Sequence, residues 1–299
     1  MVKKALTLTV IANITSNYGE GLGNVSSIQK VFRNGNTYAT RSRESLKNSL
    51  MVQSGMYDDL KVTVDGATQK EVNEELNVSN CRALEGGYMN TSVGEKKLTY
   101  VRKSSFYLTD AVACEPFINE ARFHNNLHLA RTYGKANNIK LQDRDAAKKT
   151  GLMPYNYEYD KSLKIYSITF DLSMIGRDEN FDVESNKKEK AGRVNSMLET
   201  IENFNLIVKG NLDNAEPIFI VGGLSDRMTH QFENVVRIKD GKLKITNDLK
   251  SKIDRGYKVG LLEGDGIDNE TEILQELKPI SVSNFFDNLK DEVNQYYGV

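Results

Sequence analysis

The sequence predicts an α+β fold whose elements follow the order β-α-β-β-α-β, and three observations lead to it. Residues 5–14 alternate Leu6, Leu8, Val10 and Ala12 with Thr7, Thr9 and Ile11, the two-residue period of a half-buried strand. Residues 43–56 and 188–204 carry apolar side chains at helical spacing, Leu46, Leu50 and the adjoining Tyr57 on the first and Val194, Met197, Ile201 and Phe204 on the second. Runs at 155–159, 164–172 and 217–221 read as strands between and after those helices.

The first strand leads into a loop holding Gly19-Glu20-Gly21-Leu22-Gly23. Its spacing is G-x-G-x-G, with no helix directly behind it, which excludes a dinucleotide fingerprint or a P-loop. Ser42 is placed to cap the first helix, with Arg43 and Lys47 along one edge of its apolar stripe. Between residues 25 and 47 stand Lys30, Arg33, Arg41, Arg43 and Lys47 against one acid, Glu44. A helix N-terminus attracts anions through its free N–H groups, and Ser42 and Ser45 add hydroxyl donors, so this stretch reads as a phosphate grip with its bases facing solvent.

Asp160-Lys161-Ser162-Leu163 sits between the strands at 155–159 and 164–172, which predicts a hairpin; within it Ile165, Ser167, Thr169 and Asp171 alternate with Tyr166, Ile168, Phe170 and Leu172. The second helix follows, and Gly222-Gly223 is expected to stop the last strand. Together these elements make an RRM/ferredoxin-like palm within one domain, residues 1–299. Residues 57–153 are a polar, weakly periodic insertion containing the pair Lys148-Lys149. Residues 224–299 extend the palm with a hairpin around 239–242, a strand near 257–262 and a helix bearing Phe286, Leu289, Val293 and Tyr296.

Composition bounds the function. The 299 residues include 40 Lys or Arg and 41 Asp or Glu, so a polyanion must be gripped locally and not by the whole surface. No apolar run approaches the ~20 residues of a membrane span, and two cysteines are too few for a disulfide scaffold, so a reducing cytoplasm is expected. Three histidines, no G-x-S-x-G and no H-E-x-x-H leave no recognisable hydrolytic centre. Cys81, Cys114, His124 and His128 lack zinc-site spacing, and Asp265, Asp268, Glu270 and Glu272 miss the EF-hand pattern, so no metal or other cofactor is expected. The strands also lack the aromatic pattern with which RNA-recognition modules stack bases, so binding is expected to rest on the ribose-phosphate backbone.

Several stretches carry a family resemblance. Asn13-Ile14-Thr15-Ser16-Asn17-Tyr18-Gly19-Glu20-Gly21-Leu22-Gly23-Asn24, Ser27-Ile28-Gln29-Lys30, Arg33-Asn34-Gly35 and Arg41-Ser42-Arg43-Glu44-Ser45-Leu46-Lys47 resemble the DevR-type, Cas-seven family backbone subunits of type I-B CRISPR surveillance complexes. Glu115-Pro116-Phe117, Arg122-Phe123-His124-Asn125-Asn126-Leu127, Tyr155-Asn156-Tyr157 and Ile168-Thr169-Phe170-Asp171-Leu172 extend it over nearly the full length. The resemblance implies a hand-like shape with an RRM-like palm and a projecting thumb, placed in the 57–153 insertion. It implies many copies stacked head to tail on one CRISPR RNA, beside other Cascade subunits and a target DNA strand paired to the guide. Guide contacts would fall on Asn13, Lys30, Arg33, Arg41, Ser42, Arg43, Ser45, Lys47, His124, Asn125 and Asn126. Relatives in type III complexes cut target RNA with an aspartate in the loop after the first strand; residues 13–57 here contain none, so a non-catalytic role is expected. A metal-dependent RNase on the same fold and a DNA-binding regulator are the alternatives.

Charge adds one expectation of its own. Residues 263–276 hold six acids and no base, so opposite charges sit in different parts of the chain. If those parts lie on opposite sides, a heterologous contact repeats into a filament.

Overall fold

A computed structural model describes residues 4–19, 25–58, 72–91, 98–140 and 142–299. The chain opens with β1 (Ala5–Thr15), then β2 (Val25–Ser26), β3 (Lys30–Arg33) and β4 (Asn36–Arg41) before α1 (Arg43–Gln53). β3 and β4 form a hairpin turned by Asn34 (φ 49°) and Gly35 (φ 79°), the Asn-Gly pair that suits a two-residue turn with left-handed backbone. A 3₁₀ turn (Arg82–Gly86) precedes β5 (Tyr88–Thr91), β6 (Thr99–Arg102), β7 (Phe106–Leu108), β8 (Ala111–Ala113) and β9 (Ala121–His124). Next come α2 (Leu127–Ala136), α3 (Ala146–Thr150), β10 (Tyr155–Glu158), β11 (Lys161–Asp171), the short pair β12 (Arg177–Asp178) and β13 (Val183–Glu184), and α4 (Lys187–Glu202). The chain continues through β14 (Asn205–Val208), β15 (Asn211–Asn214), β16 (Pro217–Ser225), β17 (Ile238–Lys239) and β18 (Lys242–Leu243). It closes with α5 (Asn247–Ile253), β19 (Lys258–Leu261), α6 (Glu270–Leu277), β20 (Ile280–Ser281) and α7 (Val282–Tyr297).

The result is a mixed α+β fold on one large, mostly antiparallel sheet, with strand order β20-β19-β16-β1-β11-β8-β4-β3 and β7 also on β11. β1 lies at its centre, antiparallel to β11 and β16. Leu6, Leu8, Val10, Ala12 and Ile14 of β1 share one core with Leu46 and Leu50 of α1, Val194, Met197 and Ile201 of α4, and Phe285, Phe286, Leu289 and Val293 of α7. The other face of β1 is buried too. Ile11 enters a second core with Phe219, Val221, Phe232, Leu249, Val259 and Ile273, built largely from the C-terminal extension. Thr7 and Thr9 remain buried because their hydroxyls pair with Thr169 (3.1 Å) and Ser167 (2.7 Å) on β11, so the polar half of the alternation is satisfied within the protein and not by water.

Two expectations are corrected. The strands at 155–159 and 164–172 do not form a hairpin: β10 pairs with β9 and β2 in a separate three-stranded sheet, while β11 pairs with β1, β7 and β8. β11's outer partners therefore come from residues 106–113, inside the stretch read as insertion; three-residue strands are too short to leave a periodic signal. Gly222-Gly223 does not stop β16, which runs to Ser225. A Cβ at Gly222 would collide with the Thr7 carbonyl and the Leu8 side chain, so the glycine lets β16 lie close against β1.

Candidate nucleic-acid interface

Ser42 caps α1 as the sequence predicts: its backbone is extended (φ −66°, ψ 148°) and its Oγ accepts the Ser45 N–H at 3.3 Å. The neighbouring donors are also taken. Ser42 N–H donates to Asn17 Oδ1 (2.9 Å), and Arg43 N–H donates to Asp110 Oδ1 (2.8 Å). A carboxylate of the protein already stands at the helix start. The Arg43 guanidinium points outward, its side chain 61% exposed, and meets Glu44 at 2.9 Å.

Arg41 and Lys47 differ from the solvent-facing placement expected of them. Arg41 is the last residue of β4, in register with Ala111 inside the main sheet, and is 6% exposed. Its Nη1 donates to the Thr15 carbonyl at 3.2 Å while its Nε has no partner; burial lowers its pKa and Asp213 opposes that. Lys47 Nζ donates to the Gly86 carbonyl and Ser104 Oγ, both at 2.9 Å, and lies 4.8 Å from the centre of the Phe106 ring. Burial lowers its pKa as well. Lys47 thus ties α1 to the segment leading into β7.

The remaining predicted residues divide by exposure. Asn13 is the one exposed residue of β1, and Arg33 is exposed beside the Asn-Gly turn at the sheet edge. Lys30 is paired with Glu158 at 2.7 Å and sits 5.0 Å from the Phe117 ring. At the end of β9, Asn125 Oδ1 accepts the Leu127 N–H (3.1 Å) and so opens α2. Asn126 donates to the Gly151 carbonyl and accepts the Met153 N–H, both at 2.8 Å, fastening α2 to the end of α3. The structure brings His124 to Asn126 together on the small sheet, and the Ser42 to Lys47 group at α1. Residues 20–24 of the glycine-rich loop lie outside the described residues.

The small sheet gathers rings around His124 that the sequence gives no role as a group. His124 faces Tyr155, and Arg122 faces Tyr157, on one side of the β9–β10 ladder. His124 and Tyr155 stack at 5.6 Å and 26°, Tyr155 and Tyr157 at 6.2 Å and 30°. Tyr157 OH is 3.0 Å from His124 Nε2, and Tyr18 meets Tyr157 edge-on at 6.1 Å. The Arg122 guanidinium lies 3.5 Å from the centre of the Tyr159 ring, and Lys209 Nζ 4.8 Å from that of Tyr18. Residues 121–153, which include α2 and α3, hold seven Lys or Arg against two Asp and no Glu. The signal was present as Tyr155-x-Tyr157-x-Tyr159, one face of a strand.

Among the described residues no three His, Cys, Asp or Glu side chains gather as a metal site. Cys81 is buried beside Val78 and Leu84, and burial pushes the Cys114 thiol up to about 12, which leaves it unreactive. The β3–β4 hairpin forms one edge of the main sheet, with Lys30 paired to Glu158, Arg41 buried and Arg33 as its outward base. The acidic segment 263–276 follows β19 in the chain and packs Asp268 against Gly241, whose N–H meets Glu115.

The mixed α+β fold on one large, mostly antiparallel sheet is shared with solved chains. One chain titled "CRISPR RNA-guided surveillance complex" matches at TM-score 0.56 and 14% identity over 96% of this chain and 99% of that one. Another, titled "CRISPR RNA-guided surveillance complex, pre-nicking", matches at TM-score 0.57 and 10% identity over 97% and 100%. The model of the family described as CRISPR-associated negative auto-regulator DevR/Csa2 matches residues 6–244, and this chain belongs to that family. No curated protein matches it. Among the described residues no helix is long and apolar enough to cross a membrane.

Proposed function

We propose that this chain is a non-catalytic structural subunit of a type I-B CRISPR surveillance complex, which holds guide RNA by its ribose-phosphate backbone and stacks head to tail along it. The observation that carries the reading is the family match over residues 6–244 together with a fold matched over nearly the whole chain by chains of surveillance complexes; the separate basic (25–47) and acidic (263–276) stretches of the sequence support the stacking. In this reading β1, α1, β7–β8, β11, α4 and β16 form an RRM-like palm, since β16-β1-β11-β8 follows the strand order of a split βαβ unit. The small sheet with α2 and α3 projects from it between β8 and β11.

Arg33, Arg43, Asn13 and Ser45 supply the outward groups toward phosphate and ribose. Arg41 and Lys47 act from beneath, by fixing the end of β4 and the start of α1. The absence of aspartate from residues 13–57 supports a scaffold over an RNase. The discriminating experiment is gentle purification, followed by analysis of the bound nucleic acid and incubation with magnesium or manganese. Small RNA of uniform length, uncut with either metal, is expected. Metal-dependent cleavage would establish the RNase, and a discrete duplex footprint a DNA-binding regulator.

A further inference from the structure

The ring-bearing face of the small sheet is not used by a backbone-only grip. Tyr157, 5% exposed, forms its floor, and Tyr155, 39% exposed, and His124 stack above it. The hydrogen bond between Tyr157 OH and His124 Nε2 fixes the imidazole plane, so both rings are set before anything binds. Two cations stand beside the row: Arg122, over Tyr159 and paired with Glu120 at 3.3 Å, and Lys209, over Tyr18. Burial pushes the Tyr18 phenol up to about 12.

We propose that Tyr155 and His124 form a stacking platform for an unpaired base of the bound RNA. Charge complementarity supports a nucleic-acid occupant: residues 121–153, from β9 through α2 and α3, carry seven bases against two acids, with Glu120 and Glu158 as the carboxylates flanking the sheet. Every base has a π-face, so the platform contributes affinity without reading sequence, as a guide of arbitrary sequence requires. This inference rests on the RNA-binding reading above and adds a base contact to its phosphate contacts.

The test uses the full chain and single-stranded RNAs carrying 2-aminopurine or an abasic site at successive positions. Tyr155→Leu is expected to weaken binding about tenfold, since base stacking on a ring contributes about that much. At the platform position an abasic site should cost the wild type a similar factor and the Leu variant nothing, and quenching of 2-aminopurine should survive in Tyr155→Phe but not in Tyr155→Leu. Unchanged affinity in Tyr155→Leu, or an abasic penalty that persists in it, would overturn the platform while leaving the subunit reading intact. Failure of the wild type to bind single-stranded RNA would overturn both.

Discussion

Glu85 and Arg193, 108 residues apart in the chain, meet at 2.9 Å with both side chains almost wholly excluded from solvent. Glu85 also receives Arg102 (3.2 Å), Ser105 Oγ (2.5 Å) and the Gly176 N–H (2.6 Å), so each carboxylate oxygen is satisfied. The group joins the segment behind α1, the β5–β6 hairpin and α4. Removing one member of such a network strands buried charge. Glu85→Ala is therefore expected to cost about 3–5 kcal/mol, read from the midpoint of urea unfolding at constant slope. An unchanged midpoint would show that the network contributes nothing.

The outward and inward bases of the α1 region should behave differently. Arg33→Ala and Arg43→Ala are each expected to lower the slope of log affinity against log salt by ~0.7, the counterion release of one single-strand phosphate contact. Lys47→Met should leave the slope alone and lower thermal stability, because its ammonium serves Gly86, Ser104 and Phe106. A Lys47→Met slope that falls like those of the arginine variants would move Lys47 to the RNA.

Acid should weaken the α4 attachment in a defined window. The hydrogen-bonded Arg82 pair, aided by Arg193, holds the Glu189 carboxyl down to about 2. Its pKa is depressed on folding, so its contribution is full above the unfolded value of about 4.3 and is lost as pH falls through about 2. With the side chain 29% exposed, solvent screening reduces that contribution to about 1 kcal/mol. Glu189→Gln should be less stable than wild type at pH 7, with the gap closing between about pH 5 and pH 2. A gap that is constant with pH would contradict this ion pairing.

Head-to-tail stacking predicts stepwise assembly. Native mass measurement on RNAs of increasing length should show copies added one at a time, with affinity per copy rising along the RNA and falling with salt. A fixed dimer at every length would exclude it, since a two-fold contact would set like charges against each other.

The long elements were legible because their burial is continuous: the apolar residues of the β1 alternation and the α4 and α7 stripes fill one core. The partner of β11 was not legible, since β7 and β8 span three residues each and their pairing is decided by strands far away in the chain. The β3–β4 hairpin could have been read from Asn34-Gly35, a turn signal between two short extended runs. At the candidate interface the residue types were legible and their directions were not. Arg41 and Lys47 look like surface bases in a helix-start motif, yet the register of β4 on β8 and the nearness of Gly86 and Ser104 turn them inward. The ring row is hidden in the sequence because a strand at 155–159 followed closely by one at 164–172 reads as a hairpin, whereas β10 pairs with β9 and β2.

The central place of β1 has a consequence for how the protein is made. It is synthesised well before its hydrogen-bonding neighbours: Thr7 meets Thr169 across 162 residues and Gln231 across 224. Both of its edges therefore stay unpaired while most of the chain emerges from the ribosome, and the sheet closes only once β16 has been translated. Non-local pairing of this kind slows folding in general, and until β11 and β16 arrive the apolar strand stands open to pairing with other chains.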